Sequence, residues 1–303
     1  MSFKYSVIIP HYNCEDGLER LLKSIPNKDT IEVIVVDDRS STELFKDVIN
    51  KSHLVNISGY INEGVKGAGA ARNIGLEKAK GEFLVFADSD DFFTENAFNV
   101  IDNVINSSKE VHDVYFFNVT SQSSSGDVGY RHIKNSNLIL DYINKKGSFH
   151  NERLRFTHNV PWGKVFRHSL IKENIILFDE TIIANDGMFS LKAGKAAISI
   201  EASDDVIYCV TQTNESLTAK KNVSNYRVRL EVFVRYYSYL THVERRQARV
   251  SPLPLLYIGK DYGIKEVVRS VIYLKKNKIS LLKNLPLSST KFKTFYTRIS
   301  KQR

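Results

Sequence analysis

Asp88-Ser89-Asp90-Asp91 sets three carboxylates within four residues, directly after the apolar run Phe83–Ala87. Like charges this close repel one another unless something positive sits among them. A hard divalent cation takes oxygen ligands and bridges to phosphates, so it suits the cluster. Held there, it could neutralise a diphosphate leaving group. An acidic loop between a strand and a helix also reads as a helix cap, so the cluster alone leaves both readings open. The same ambiguity attends Asp37-Asp38, at the end of the apolar run Val33–Val36, and Asn185-Asp186, ahead of Gly187-Met188-Phe189.

Chemistry shared between such groups needs strands that end together. Tyr5–Pro10 is a short β-branched strand that runs into His11-Tyr12-Asn13, with a helix expected near Leu18–Ile25. Val33–Val36 and Phe83–Phe86 are further strands, each ending in acids. Between them, residues 62–75 (Asn62 through Gly75) read as a glycine-containing loop. This alternation predicts an α/β fold with a mostly parallel central sheet flanked by helices. Ligands of such sheets sit at the carboxyl ends of the strands. The Tyr12, Asp38 and Asp90 loops would meet there around one nucleotide-sized ligand. Gly64, Gly67 and Gly69 have the spacing G-x-x-G-x-G, not the G-x-G-x-x-G turn directly after a strand, which excludes a dinucleotide fingerprint. They suit a loop that covers a ligand.

The ordered blocks resemble family 2 glycosyltransferases of the GT-A fold. They are Ser6–Pro10 with Tyr12-Asn13, Val36-Asp37-Asp38, Ala71-Arg72-Asn73-Ile74-Gly75, Asp88–Asp91, Trp162-Gly163-Lys164-Val165-Phe166 and Asn185–Phe189. The resemblance covers about residues 4–220. It implies that Pro10, Tyr12, Asn13 and Asp38 hold the base and ribose of a nucleotide-sugar, typically a UDP-sugar. It implies Arg72 near the base and phosphates and Asp90 on the ribose or metal side. Asp91, with Asp90, would then ligate Mn²⁺ or Mg²⁺, and Asp186 would be the base that deprotonates the acceptor hydroxyl. Trp162 and Lys164 would line the sugar or acceptor side. The implied reaction is inverting sugar transfer to a saccharide hydroxyl, on an acceptor that can be lipid-linked through undecaprenyl diphosphate. The setting would be bacterial O-antigen, capsule or exopolysaccharide assembly. Transfer to polyprenyl phosphate and an inactive GT-A scaffold at the membrane are the rival readings.

Each residue has a plainer reading beside this one. Arg72 could pair with a surface carboxylate, Asp37 could only shape its loop, and Trp162 could be a packing residue. Lys164, two positions on, could share the side of Trp162 in an extended segment. Relatives usually carry Glu-Asp where this chain has Asn185-Asp186, which removes one charge beside the expected base. Glu215–Thr218 resembles a late block of the family that could close over the diphosphate, or is a turn.

The chain has 303 residues and a net charge of +9. Its two cysteines form no disulfide framework. It contains no run of 18 apolar residues and no signal-peptide pattern, so a cytoplasmic, at most peripheral, protein is expected. The positive charge belongs to one end. Residues 221–303 carry 19 Lys and Arg against four Asp and Glu, while the rest of the chain is net acidic. Division into a catalytic domain, 1–220, and a basic, mainly helical region, 221–303, follows. Helices are expected over residues 225–249, with Val228, Val232, Tyr236, Tyr239 and Val243 as the apolar stripe, and over residues 263–278, with Pro252 and Pro254 breaking the pattern between them. A basic, amphipathic region suits an anionic membrane surface; nucleic acid is disfavoured, because no binding fold for it accompanies the charge.

Overall fold

The computed structural model describes residues 2–41, 44–123, 125–145, 147–212 and 222–281. The Glu215–Thr218 block and the basic segment 291–303 lie outside the described residues. The chain forms two compact units, Met1–Ser216 and Leu217–Arg303.

The first unit is built on one eight-stranded sheet. Its strands are β1 (Tyr5–His11), β2 (Ile31–Asp37), β3 (Ile57–Ile61), β4 (Phe83–Phe86), β5 (Phe92–Phe93), β6 (Val114–Ser123), β7 (Lys164–Arg167) and β8 (Ile200–Gln212), in the order β3-β2-β1-β4-β7-β6-β8-β5. The helices are α1 (Glu15–Ser24), α2 (Leu44–Asn50), α3 (Ala68–Lys78), α4 (Ala97–Ser107), α5 (Ile133–Asn144), α6 (Ser148–Thr157), α7 (His168–Glu173) and α8 (Gly187–Ala196). Strands β1 to β4 pair in parallel, β7 runs antiparallel to both β4 and β6, and β8 is parallel to β6. The expected α/β architecture is therefore present as a mixed sheet with flanking helices.

Buried parallel strands read as near-continuous apolar runs, because both faces are covered. All seven residues of β1 and of β2 are buried. Side chains alternate between two cores. Val7, Ile9, Val33, Val35 and Val85 pack on one face with Leu18, Leu21, Phe98 and Ile101. Ile8, Leu84 and Phe86 face the other, with Ile139, Phe166 and Phe189. Two glycines set how closely helices approach the strand ends. A Cβ on Gly17 would lie 2.7 Å from the Ser89 carbonyl oxygen, so α1 can rest on the acidic loop only with glycine there. A Cβ on Gly69 would lie 2.0 Å from the Asp179 carbonyl oxygen. Gly69 and the Ala71–Gly75 block belong to α3 rather than to the loop expected over residues 62–75.

The described residues of the second unit form helices α9 (Val223–Tyr239), α10 (His242–Gln247), α11 (Leu253–Gly259) and α12 (Ile264–Lys276). Three expectations change here. The helix foreseen over 225–249 is two helices, because Thr241 and Glu244 cap one another reciprocally and start α10 afresh. Pro252 and Pro254 begin α11 instead of merely interrupting the pattern; a helix leaves its first N–H groups unbonded, so proline is tolerated there. The buried stripe of α9 is Tyr226, Leu230, Val234 and Tyr237 with Val232, whereas Tyr239 and Val243 are exposed. Both stripes fit a 3.6-residue period. Tyr226 anchors the one that is buried, through a 2.9 Å hydrogen bond to Ser270 and a ring contact with Tyr262. No helix among the described residues is long and apolar enough to cross a membrane.

Candidate active site

The carboxyl ends of β1, β2 and β4 meet as expected, but their acids are treated differently. Asp37 is consumed locally. Its carboxylate accepts from His11 Nδ1 at 2.8 Å and from the Ser40 backbone N–H at 2.9 Å and hydroxyl at 2.5 Å. Burial works against the charge, but the bonds from Ser40 and His11 outweigh it and hold the carboxyl below its ordinary value. Asp38 is buried and ties down the loop that follows β3: Asn62 Nδ2 donates to Oδ1 at 2.7 Å and the Gly67 N–H to Oδ2 at 2.8 Å. Asn13, in the left-handed region at φ 45°, joins the β1 loop to the β2 loop by accepting the Ser41 N–H at 2.8 Å. Pro10 is within β1, paired with Val36, and Tyr12 stands 40% exposed with the Lys66 ammonium 3.9 Å from its ring centre. Pro10, Tyr12, Asn13 and Asp38 thus frame one rim.

Arg72 is buried on α3 and links two of the sequence blocks. It forms an ion pair with Asp88 and donates to Asn185 Oδ1 at 3.0 Å. The departure at Asn185 has a physical account: an amide oxygen receives the guanidinium where a carboxylate would have partly neutralised it. Beside it, Asp186 takes the N-cap position of α8, yet its carboxylate makes no capping hydrogen bond. Burial raises the Asp186 carboxyl above its ordinary value. Arg72 and Lys164 pull it down and Asp88 pushes it up, so all three lie within electrostatic reach.

The acidic trio is the group among the described residues whose arrangement suits a metal ion; ligand oxygens of Asp88, Asp90 and Asp91 all lie within 4.8 Å of one another. No histidine joins them. Asp91 is nearly fully buried, and among the described residues its donors are neutral, the Thr211 N–H at 2.7 Å and the Tyr208 hydroxyl. Burial first, then repulsion from Asp90 and Asp88, lifts its carboxyl well above the ordinary value; burial and Asp88 raise that of Asp90. Arg72 pairs with only one of the three. An all-oxygen donor set carrying excess negative charge fits Mn²⁺ or Mg²⁺, with Asp90, Asp91 and Asp88 as the residues that would hold it.

Several partners at this end carried no motif. Tyr208 of β8 accepts the Asp88 N–H at 2.8 Å. Arg20 of α1 donates to the Asp90 carbonyl and to Thr211 Oγ1. Both lie more than 65 residues from the acids they touch, so no local spacing could reveal them.

Trp162 and Lys164, expected on the sugar or acceptor side, are both buried. Trp162 is buried in the core and stacks on Tyr208, ring centres 6.2 Å apart. Lys164 is 1% exposed; its ammonium donates to the His158 carbonyl at 2.5 Å and lies near the Phe116 and Phe166 rings. Gly163, at φ 67°, turns the backbone between them, so they do not share one side. Burial draws the Lys164 ammonium down to about 7. His158 is a fully buried core histidine between Phe116 and Trp162.

Residues 6–175 match the family model described as Glycosyl transferase family 2. The chain belongs to this family. A poly(ribitol-phosphate) beta-glucosyltransferase of Bacillus spizizenii is 32% identical over 227 residues, 71% of this chain and 33% of that protein. TarS of Staphylococcus aureus, a poly(ribitol-phosphate) beta-N-acetylglucosaminyltransferase, is 29% identical over 212 residues, 68% of this chain and 35% of its own length. The crystal structure of its residues 1–349 in complex with UDP-GlcNAc has a TM-score of 0.62 at 21% identity, covering 95% of this chain and 97% of that one, which is a likeness of fold. An Escherichia coli UDP-Glc:alpha-D-GlcNAc-diphosphoundecaprenol beta-1,3-glucosyltransferase is 41% identical over 90 residues, 29% of this chain and 36% of its own. The chain spans about a third of the length of these curated relatives.

Proposed function

We propose that this family 2 chain transfers a hexosyl group from a UDP-sugar, with inversion, to a hydroxyl of a saccharide or polyol acceptor during assembly of a bacterial surface polymer. The observation that carries the reading is the single cluster in which Arg72 joins the acidic trio, through Asp88, to the Asn185-Asp186 pair. Residues 1–216 would do the chemistry. The basic helical region would keep the enzyme on the cytoplasmic face of the membrane, where a lipid-linked acceptor lies. TarS was crystallised with UDP-GlcNAc, and the E. coli relative is named for a UDP-sugar and a diphosphoundecaprenol-linked acceptor; both support the donor class and the second supports the acceptor.

In this reading the exposed Tyr12 ring and the rim formed by Pro10, Asn13 and Asp38 seat the base and ribose. Both Asp38 oxygens already hold the loop, so Asp38 contacts the nucleoside through its remaining lone pairs. Arg72 places a fixed positive charge beside the leaving diphosphate. Asp186 accepts the proton of the acceptor hydroxyl, and its burial makes it a better base than an exposed aspartate. A cation held by Asp90, Asp91 and Asp88 would supply electrostatic stabilisation of the diphosphate. Direct displacement at the anomeric carbon then inverts it.

The test is UDP release from a panel of UDP-sugars, with Mn²⁺, Mg²⁺ or EDTA, for the wild type and Asp186→Asn. One donor turned over only with metal, and a loss of about 10²–10⁴-fold in kcat for the variant, is the expected outcome. Undiminished turnover of Asp186→Asn would remove the base assignment and favour an acceptor that is already ionised, such as polyprenyl phosphate.

A further inference from the structure

Helix α12 is two-sided in an unusual way. Its fully buried residues are Glu266, Ser270 and Leu274, two of them polar, with Val267 and Val271 half-buried beside them. Its outward face carries Ile264, Val268 and Ile272, which are 74%, 51% and 49% exposed. Four-residue spacing aligns these three along one strip of the helix. Lys265 and Arg269 follow each of the first two by one position and border the strip, and Lys275 and Lys276 close its far end; all four are exposed. The helix has one acid, Glu266. It is buried, accepts from Arg227 Nε and Nη2 at 2.8 Å each, and also pairs with Arg269. Its charge is therefore directed inward and neutralised, and the outward face is aliphatic and cationic with no exposed acid.

We propose that this face of α12 docks on an anionic lipid bilayer, lying in the plane of the headgroups. Ile264, Val268 and Ile272 would enter the boundary of the acyl chains, and Lys265, Arg269, Lys275 and Lys276 would meet the lipid phosphates. Charge complementarity selects this occupant. A second copy of the same face would set Lys265 and Lys276 against their own kind, and an uncharged apolar partner would leave the border of cations unanswered. Strips of this composition, with basic side chains beside aliphatic ones, lie at membrane interfaces, and a Debye length of about 10 Å keeps the cationic contribution short-ranged and salt-sensitive. The proposal narrows the membrane role given above for the basic region to one helix face, and it rests on that role.

The experiment is co-sedimentation of the full chain with phosphatidylcholine vesicles, with or without 30% phosphatidylglycerol as the probe. It is run at low and high salt, with circular dichroism as a check of fold. Wild type is expected on the anionic vesicles alone. Ile264→Glu/Val268→Glu/Ile272→Glu is expected to bind at least about tenfold more weakly. Ile264→Ser/Val268→Thr/Ile272→Ser gives the same reading should the charged variant fail to fold. Lys265→Gln, Lys275→Gln and Lys276→Gln should each weaken binding about fivefold at low salt and flatten the salt dependence. Equal binding by the aliphatic-face variants and wild type overturns the α12 face while leaving the membrane role of the region intact. Absence of wild-type binding overturns both. A dimer of the wild type that the face variants abolish, without vesicle binding, replaces the bilayer with a second copy. UDP release in solution is independent of all these outcomes, so it separates failure of the docking face from failure of the proposed chemistry.

Discussion

The β2 loop and the β4 loop both end in adjacent aspartates, yet the fold uses them in opposite ways. Asp37 and Asp38 are surrounded by donors from their own neighbourhood: His11, Ser40, Asn62 and the Gly67 N–H. The chain itself satisfies them, and they brace loops. Asp90 and Asp91 are pressed together with Asp88; Asp91 is buried and the other two half-buried, and among their carboxylates only Asp88 is ion-paired, with Arg72, while Arg20 and Arg131 act on Asp90 from a distance. The first pair braces loops through bonds from its own neighbourhood, and the second carries negative charge that its neighbours only partly offset. The rule this teaches is that a carboxylate pair at a strand end is read by what the rest of the fold supplies to it.

Asp91→Asn should break the contrast most sharply. It keeps an oxygen for the Thr211 N–H but removes the charge that would hold the cation. Donor turnover should fall by about 10³-fold, the several kcal/mol of charge stabilisation a catalytic metal supplies, and any Mn²⁺-induced rise in melting temperature should vanish. A preserved metal shift would show that the trio is not the cation seat. Asp37→Ala should do the reverse. Leaving buried His11 and half-buried Ser40 without their acceptor should cost about 2–3 kcal/mol of stability by chemical denaturation, while the metal-induced shift persists.

Lys164 sharpens the comparison from the cationic side. Its ammonium titrates near 7 in the folded chain and at an ordinary 10.5 when unfolded. The folded state thus binds this proton less well. The cost is absent above pH 10.5, grows as pH falls toward 7, and is constant below. Lys164→Met should therefore raise stability by about 1–3 kcal/mol at pH 6 and by much less at pH 10, read from denaturant midpoints at the two values. The smallest effect is expected from Trp162→Phe. As a core substitution it should cost about 1–2 kcal/mol with the KM for acceptor unchanged; a tenfold rise in that KM would return Trp162 to the sugar face.

Tyr5–Pro10, Val33–Val36 and Phe83–Phe86 were legible as strands, because a run of β-branched and aromatic residues too short for a helix has few other uses. The acidic trio was legible because its members are neighbours in sequence. The stripe of α9 was only partly legible because two apolar series, Val228–Val232–Tyr236 and Tyr226–Leu230–Val234, both satisfy helical spacing; the second is buried throughout, with Tyr226 bonded to Ser270 on α12, and of the first only Val232 is. That Trp162 and Lys164 do not share one side was not legible, because Gly163, at φ 67°, turns the backbone between them.

Sequence by itself determined the strand ends, the clustering of three acids and the segregation of positive charge into residues 221–303, since these depend on residues close together along the chain. Tertiary structure alone decided that Arg72 reaches Asp88 and Asn185, that Tyr208 and Arg20 brace the acidic loop, and that Asp37 is spent on His11 and Ser40 while Asp91 is not. Apart from the Ser40 contact, those outcomes depend on groups 16 to 120 residues apart. Only closing the sheet brings them within the few ångströms over which a hydrogen bond or an unshielded charge acts.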